Sequence, residues 1–391
     1  MLKYLKYDFS AGIVVFLIAI PLCLGIALAS GAPLFSGIIS GFIGGIVVGS
    51  ISGSKISVSG PAAGMVAVVL AAITQLGGFE MFLLALLFAG ILQIIIGVLR
   101  VGFIVKYIPS NVIQGLLCAI GILIIVKQLP FAFSYANDHL NVGAIILSII
   151  SICLLTFFKK IPGPIIVVLV GVVLNGLYIR YFPSLIQYSD NLVNIPISDN
   201  IQSFLKQFDH PDWLGLYNPK VYLYAVMLCA VASIEALLNL EAIEKIHNTH
   251  QNVSANRELV AQGVGNTLAA ILGGIPITSV VVRGTVNIQA GAKSRASTIF
   301  HGIFILFAVI FIPRWINLIP LASLAAILIY VGYKLTKPYI YREIYSQGLA
   351  EFIPFVVTIV TIIFSNLLTG VLVGLFLNFV YPARWQQSES I

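Results

Sequence analysis

Charge is what this sequence has least of. Asp, Glu, Lys and Arg make up 9% of its 391 residues, against roughly 25% in an ordinary soluble domain, so a soluble globule is excluded. Cysteine is scarce as well. Cys23, Cys118, Cys153 and Cys229 each lie inside an apolar run without close spacing, which excludes a disulfide framework or a thiolate metal site and leaves packed free thiols. The N-terminal run is followed by no small-residue cleavage site and no polar mature chain, so it is expected to stay as a helix. Walker loops, nucleophile elbows and paired-histidine zinc motifs are missing too, which removes the commonest ATP-driven and hydrolytic membrane enzymes.

What is there is apolar sequence, at 59% of residues. A spanning helix needs about 20 mainly apolar residues, and runs of that kind recur, among them Ala11 to Ala29, Met81 to Leu99, Val142 to Phe158 and Val221 to Leu240. They supply on the order of 12 to 14 crossings, some of them short. The net charge of +7 is scattered over helix ends, which argues against a nucleic-acid face and reports topology instead. With the N-terminus in the cytoplasm, most of the basic residues fall inside, from Lys3 and Lys6 to Arg342 and Arg384, while Lys127, Arg180, Lys206, Lys220 and Arg314 fall outside. Both termini are then cytoplasmic in a multi-pass cell-membrane protein.

The long polar stretch between Arg180 and Lys220 divides the chain. Residues 1–182 form a first set of about seven segments, 183–219 an outer linker and 220–391 a second set. An odd number per half inverts the second half, the arithmetic of an inverted repeat. The third segment opens with Ser57-Val58-Ser59-Gly60-Pro61-Ala62-Ala63-Gly64, and the tenth with Gly273-Gly274-Ile275-Pro276-Ile277-Thr278-Ser279. Matched Gly/Pro interruptions of this kind point to a midplane binding site.

Pro61 and Pro276 suit early helical positions, where the missing N–H is no loss. The amides of Ala62, Ala63 and Gly64, and of Ser279, Val280 and Val281, would then face the bilayer centre as two positive helix ends, a natural seat for an anion. Arg283 adds a full positive charge beside them. The plainer reading is ordinary kinks filled by neighbouring helices. Glu235, inside an apolar span, is a functional candidate by its depth, with Asn239 one turn on; its alternative is a structural hydrogen bond or a salt bridge with Arg283. Gly37, Gly41 and Gly45 read as helix packing, His301 as a bond to a neighbouring helix, and His247, His250 and the acceptor Asn252-Val253-Ser254 as incidental. Gradient-driven transport is the reading left, with a nucleobase permease, an uncoupled anion channel and a membrane scaffold as rivals.

Longer motifs sharpen this. Ser233-Ile234-Glu235-Ala236-Leu237-Leu238-Asn239, the run Asn256 to Asn266, Gly273-Gly274-Ile275-Pro276 and Asn287 to Lys293 resemble the SulP family of inorganic anion transporters over essentially the whole chain. The resemblance implies an all-α fold of about fourteen segments in a seven-plus-seven inverted repeat. Segments 1–4 and 8–11 would form a core domain and segments 5–7 and 12–14 a gate domain. Half-helices 3 and 10 would meet at midplane around the anion, held by Gly60, Ala62, Ala63, Gly64, Ser279, Val280, Val281 and Arg283. It implies a secondary transporter of sulfate or bicarbonate, with Glu235 and Asn239 at the coupling site, for H+ rather than Na+. The expected partners are a small inorganic anion, the bilayer and a second copy of the chain, with no nucleic acid, metal or organic cofactor. Two departures stand out. Leu22 and Cys23 leave the first-helix wall apolar where many members are polar, and the cytoplasmic STAS domain usual in the family does not follow before Ile391.

Overall fold

The computed structural model describes residues 4–101, 109–136, 139–157, 163–182, 185–187, 189–197, 201–247, 253–365 and 367–380. His250 and Asn252 of the incidental motifs, and Lys3 and Arg384 of the charge pattern, lie outside the described residues. The first half holds α1 (Leu5–Ala29), α2 (Leu34–Ile51), the short strand β1 (Ser59–Pro61), α3 (Val66–Leu76), α4 (Phe79–Val98), α5 (Ser110–Phe133), α6 (Val142–Phe157) and α7 (Gly163–Tyr181). The second holds α8 (Pro219–His247), α9 (Ala255–Ile271), β2 (Ile277–Ser279), α10 (Val281–Gln289), α11 (Ala296–Phe311), α12 (Leu321–Leu335), α13 (Leu349–Phe364) and α14 (Leu367–Val380). This is an all-α polytopic membrane fold whose order fits seven plus seven segments, with a strand opening the third of each set.

Length explains which helices cross. Six of the described helices are long and apolar enough to span a bilayer. By contrast α10, at nine residues, reaches about 14 Å at ~1.5 Å per residue, half of the ~30 Å hydrocarbon core. It and α3 are half-helices, and the extended strands complete their paths. Sequence reasoning placed Pro61 and Pro276 in the first helical turns. In the structure Pro61 ends β1, and Pro276 stands just before β2, so α10 starts five residues later than its proline. Bare backbone at membrane depth has to find partners within the protein, and the two extended stretches find them in each other.

The chain forms two compact units, Met1–Gly102 with Gln128–Leu328, and Phe103–Lys127 with Ile329–Ile391. In the second, α13 and α14 pack with the start of α5: Gly115 abuts the Phe355 carbonyl, and Asn111 Nδ2 donates to the Glu351 carbonyl at 3.2 Å. In the first, α4 packs along α8 and α9, and α1 along α2 and α11. Glycines set the second group's spacing, as the Gly37, Gly41 and Gly45 stripe led us to expect. A Cβ on Gly37 would enter the Cys23 carbonyl, one on Gly41 the Cys23 Sγ, and one on Gly45 the Gly302 backbone. Gly44 opens a π-helical turn, Gly44–Val48, and lies flush on the Ser59 carbonyl of β1. Asp8, fully buried, accepts from the Lys293 and Ser294 amides at 2.7 and 3.0 Å and so fastens α1 to the start of α11.

Gly45→Leu must push backbone apart and is expected to cost about 1–3 kcal/mol, read as lowered thermal stability in detergent. Gly176→Leu on α7, where a Cβ meets nothing, should leave the melting curve in place.

Candidate functional site

The centre of the first unit is the antiparallel pair of β1 and β2, in register Ser59 to Ser279, Gly60 to Thr278 and Pro61 to Ile277. Their flanks are bonded as well. The Val280 amide donates to the Val58 carbonyl at 3.0 Å, and the Ser57 and Ser279 hydroxyls share a hydrogen bond of 2.6 Å. Side chains on neighbouring helices satisfy the backbone leading into β2. Ser40 of α2 donates to the Ile275 carbonyl at 2.6 Å and accepts from its amide at 2.7 Å. Asn266 of α9 does the same for Ile277, accepting at 2.6 Å and donating at 3.2 Å, and its amide also donates to Gln93.

Beyond the strands, the 3₁₀ turn Ala63–Met65 that leads into α3 begins at an extended cap, Ala62, and α10 at another, Val280, and neither cap residue makes a side-chain cap. First-turn amides left without a cap are the donors that bind anions. On the α3 side one is engaged: Gly64 N–H donates to Glu235 Oε1 at 3.2 Å, while Oε2 is buried without a partner. A Cβ on Gly64 would overlap the carboxylate, so glycine here is what lets Glu235 lie against the amide. One turn along α8, Asn239 Nδ2 donates to the Ser279 carbonyl at 2.7 Å. Helix α8 therefore touches both arms of the crossover, with Glu235 beyond β1 and Asn239 at the end of β2. Gly60, Ala62, Gly64 and Ser279 are buried there, and Ala63, Val280 and Val281 partly so.

Arg283 takes a different direction. It is 1% exposed, its Nη2 donates to Cys23 Sγ at 3.2 Å, and its Nη1 rests on Gly60, where a Cβ would collide with it. Its Nε and Nη1 have no partner, and neither has either ring nitrogen of the fully buried His301. Glu235 and Arg283 thus do not hydrogen-bond each other, and the salt bridge held open on sequence grounds gives way to Glu235 with Gly64 and Arg283 with Cys23. His301 makes no bond to a neighbouring helix. Cys23, discounted as a packed thiol, proves to be the partner of the site's one cation.

A second acid was passed over. Glu258, at the start of α9, is fully buried; its Oε2 accepts from Ser52 Oγ and its Oε1 from Gln262 Nε2 at 2.8 Å. Gln262 Nε2 also donates to Ser59 Oγ of β1 at 2.9 Å. The signal was available: Glu258, Gln262 and Asn266 recur every fourth residue and so form one polar stripe on α9.

A family model described as the sulfate permease family matches residues 5–154 and 137–361. YvdB of Bacillus subtilis, named as a candidate sulfate transporter, is 27% identical over 98% of this chain and 74% of its own length. Among solved structures, the transmembrane domain of the cyanobacterial bicarbonate transporter BicA superposes with a TM-score of 0.77 at 22% identity, covering 96% of this chain and 98% of that one. Murine Slc26a9, an anion transporter in its inward-facing state, gives 0.80 at 17% identity, over 97% and 68%.

Asn266→Ala would strand the Ile277 amide in a dry interior. The expected cost is about 1–3 kcal/mol, read by thermal unfolding, and a wild-type melting temperature would show that this clamp is not needed.

Proposed function

This chain belongs to the sulfate permease family of membrane anion transporters, and we propose that it carries sulfate or bicarbonate through the bilayer together with a proton. The observation that carries this reading is the bond from Gly64 N–H to Glu235 Oε1. An ionised Glu235 sits where an anion would sit, on the uncapped end of α3, and repels any other anion that approaches. Protonation removes that charge, weakens the carboxyl as an acceptor and frees the amide. Proton and anion then favour each other's binding, and linkage makes that preference reciprocal. The names of the relatives supply the substrate class, since they refer to sulfate and to bicarbonate.

The proton is favoured over sodium by the ligands at hand. A hard cation wants a shell of several oxygens, whereas Glu235 offers one unpartnered buried oxygen and Asn239 has turned its amide to Ser279. Arg283 holds a fixed positive charge behind Gly60 and lowers the cost of bringing an anion to this depth. In this reading the core of segments 1–4 and 8–11 moves against the gate of segments 5–7 and 12–14, carrying the crossover from one face to the other, with both termini in the cytoplasm.

Purified protein in liposomes should take up labelled sulfate or bicarbonate under an inward proton gradient and not under a sodium gradient alone. Glu235→Gln is expected to abolish proton-driven uptake while anion exchange persists; uptake that still follows pH in that variant would sink the coupling role. Arg283→Ala should weaken anion affinity about 10- to 100-fold, the equivalent of a charged hydrogen bond worth ~1.5–3 kcal/mol, measured as the half-saturating anion concentration.

A further inference from the structure

Glu235 is not the only buried carboxylate tied to β1. Glu235 binds the amide just beyond that strand, and Glu258 reaches its first residue through Gln262 and Ser59. Both partners of Glu258, Ser52 and Gln262, are neutral. The charges that act on it from other elements are Glu244 of α8 and Arg295 ahead of α11. Arg295 spends its Nε and Nη2 on the Ser54 and Gly53 carbonyls at 3.1 and 3.2 Å, and Arg257, on the helix of Glu258 itself, gives its Nε to the Ile51 carbonyl at 2.8 Å. Keeping a buried carboxylate ionised without a bonded cation is costly, which makes such a group a candidate to hold a proton.

The network around it accepts either protonation state without moving a heavy atom. Gln262 Nε2 is a fixed donor and suits Oε1 in both. Ser52 Oγ is a rotor: its hydroxyl donates to an ionised Oε2, and accepts from a protonated one once its own hydrogen turns away. The Ser54 amide donates to Ser52 Oγ at 3.1 Å, which leaves Ser52 a lone pair for a protonated Oε2, and Ser54 Oγ donates at 2.6 Å to Oε1 of the half-buried Glu244. We propose that Glu258 is a second proton-binding site of the crossover, held by Ser52 and felt at β1 through Gln262 and Ser59. This deepens the proton-coupled reading above and rests on it for its role in transport; proton binding at Glu258 itself does not.

The test uses a variant that the geometry tolerates. Glu258→Gln reproduces the protonated carboxyl, with an oxygen to accept from Gln262 and an N–H to donate to Ser52. Infrared difference spectra of the full chain in lipid, recorded between neutral and acidic pH, should show carboxyl C=O bands of buried acids. Glu258→Gln is expected to lose one such band and Glu235→Gln another, and the Glu258→Gln protein should lose one limb of the pH dependence of anion exchange while still exchanging. A Glu258→Gln spectrum identical to that of the wild type overturns the proposal. Were Glu235→Gln to keep proton-driven uptake while Glu258→Gln still lost its band, the coupling reading would fall and the second proton site would stand. Glu258→Asp, which can still titrate, should retain a shifted band; a variant that folds without one would also overturn the assignment.

Discussion

Two strands of three residues each hold the centre of this molecule. In hydrocarbon, each unpaired backbone amide or carbonyl costs several kcal/mol, so a helix cannot stop at midplane unless the chain leading to it is paired. β1 and β2 are the entry to one half-helix each, and each is the other's partner. The uncapped ends of α3 and α10, the reach of Glu235 to Gly64 and the seat of Arg283 on Gly60 all depend on that pairing. Were the strands apart, their own amides and carbonyls would stand unpaired at membrane depth.

The helices around the crossover are specialised for it. Helix α9 turns a stripe of Glu258, Gln262 and Asn266 toward the strands, and α8 contributes Glu235 and Asn239. Helix α2 gives Ser40 and, through Gly44, a flat surface. Each of these side chains meets backbone or another polar group of the crossover. The low content of charge noted at the outset is therefore the background against which the buried charges near β1 stand out among the described residues: Glu235 and Glu258 bonded toward it and Arg283 behind it.

Much of this was legible before any coordinates. Composition and run length gave the membrane class and the segment count, and the paired Gly/Pro breaks located the crossover. Glu235 and Arg283 stood out because charge in such surroundings is rare. What the sequence hid follows from how local its signals are. Pro61 and Pro276 read as helix starts since nothing in either motif reveals that the other lies opposite it, which turns both into strand. Cys23 looks like any small apolar residue until Arg283, 260 positions away, is placed against it. Glu258 was visible in the four-residue spacing of its stripe, but it stands next to a polar loop, and its burial is a property of packing alone.

The contact of α2 with α1 and α11 mixes interlocked apolar side chains such as Ile38, Phe42 and Ile305 with points where glycine brings main chain against main chain. Gly37 meets a main-chain carbonyl of α1, and Gly45 faces Gly302 across to α11. Side chains can give by changing rotamer, whereas main chains in direct touch have nothing to rearrange. At those points the helices stand as close as backbones allow, so a larger residue at Gly37 or Gly45 has to part the helices themselves.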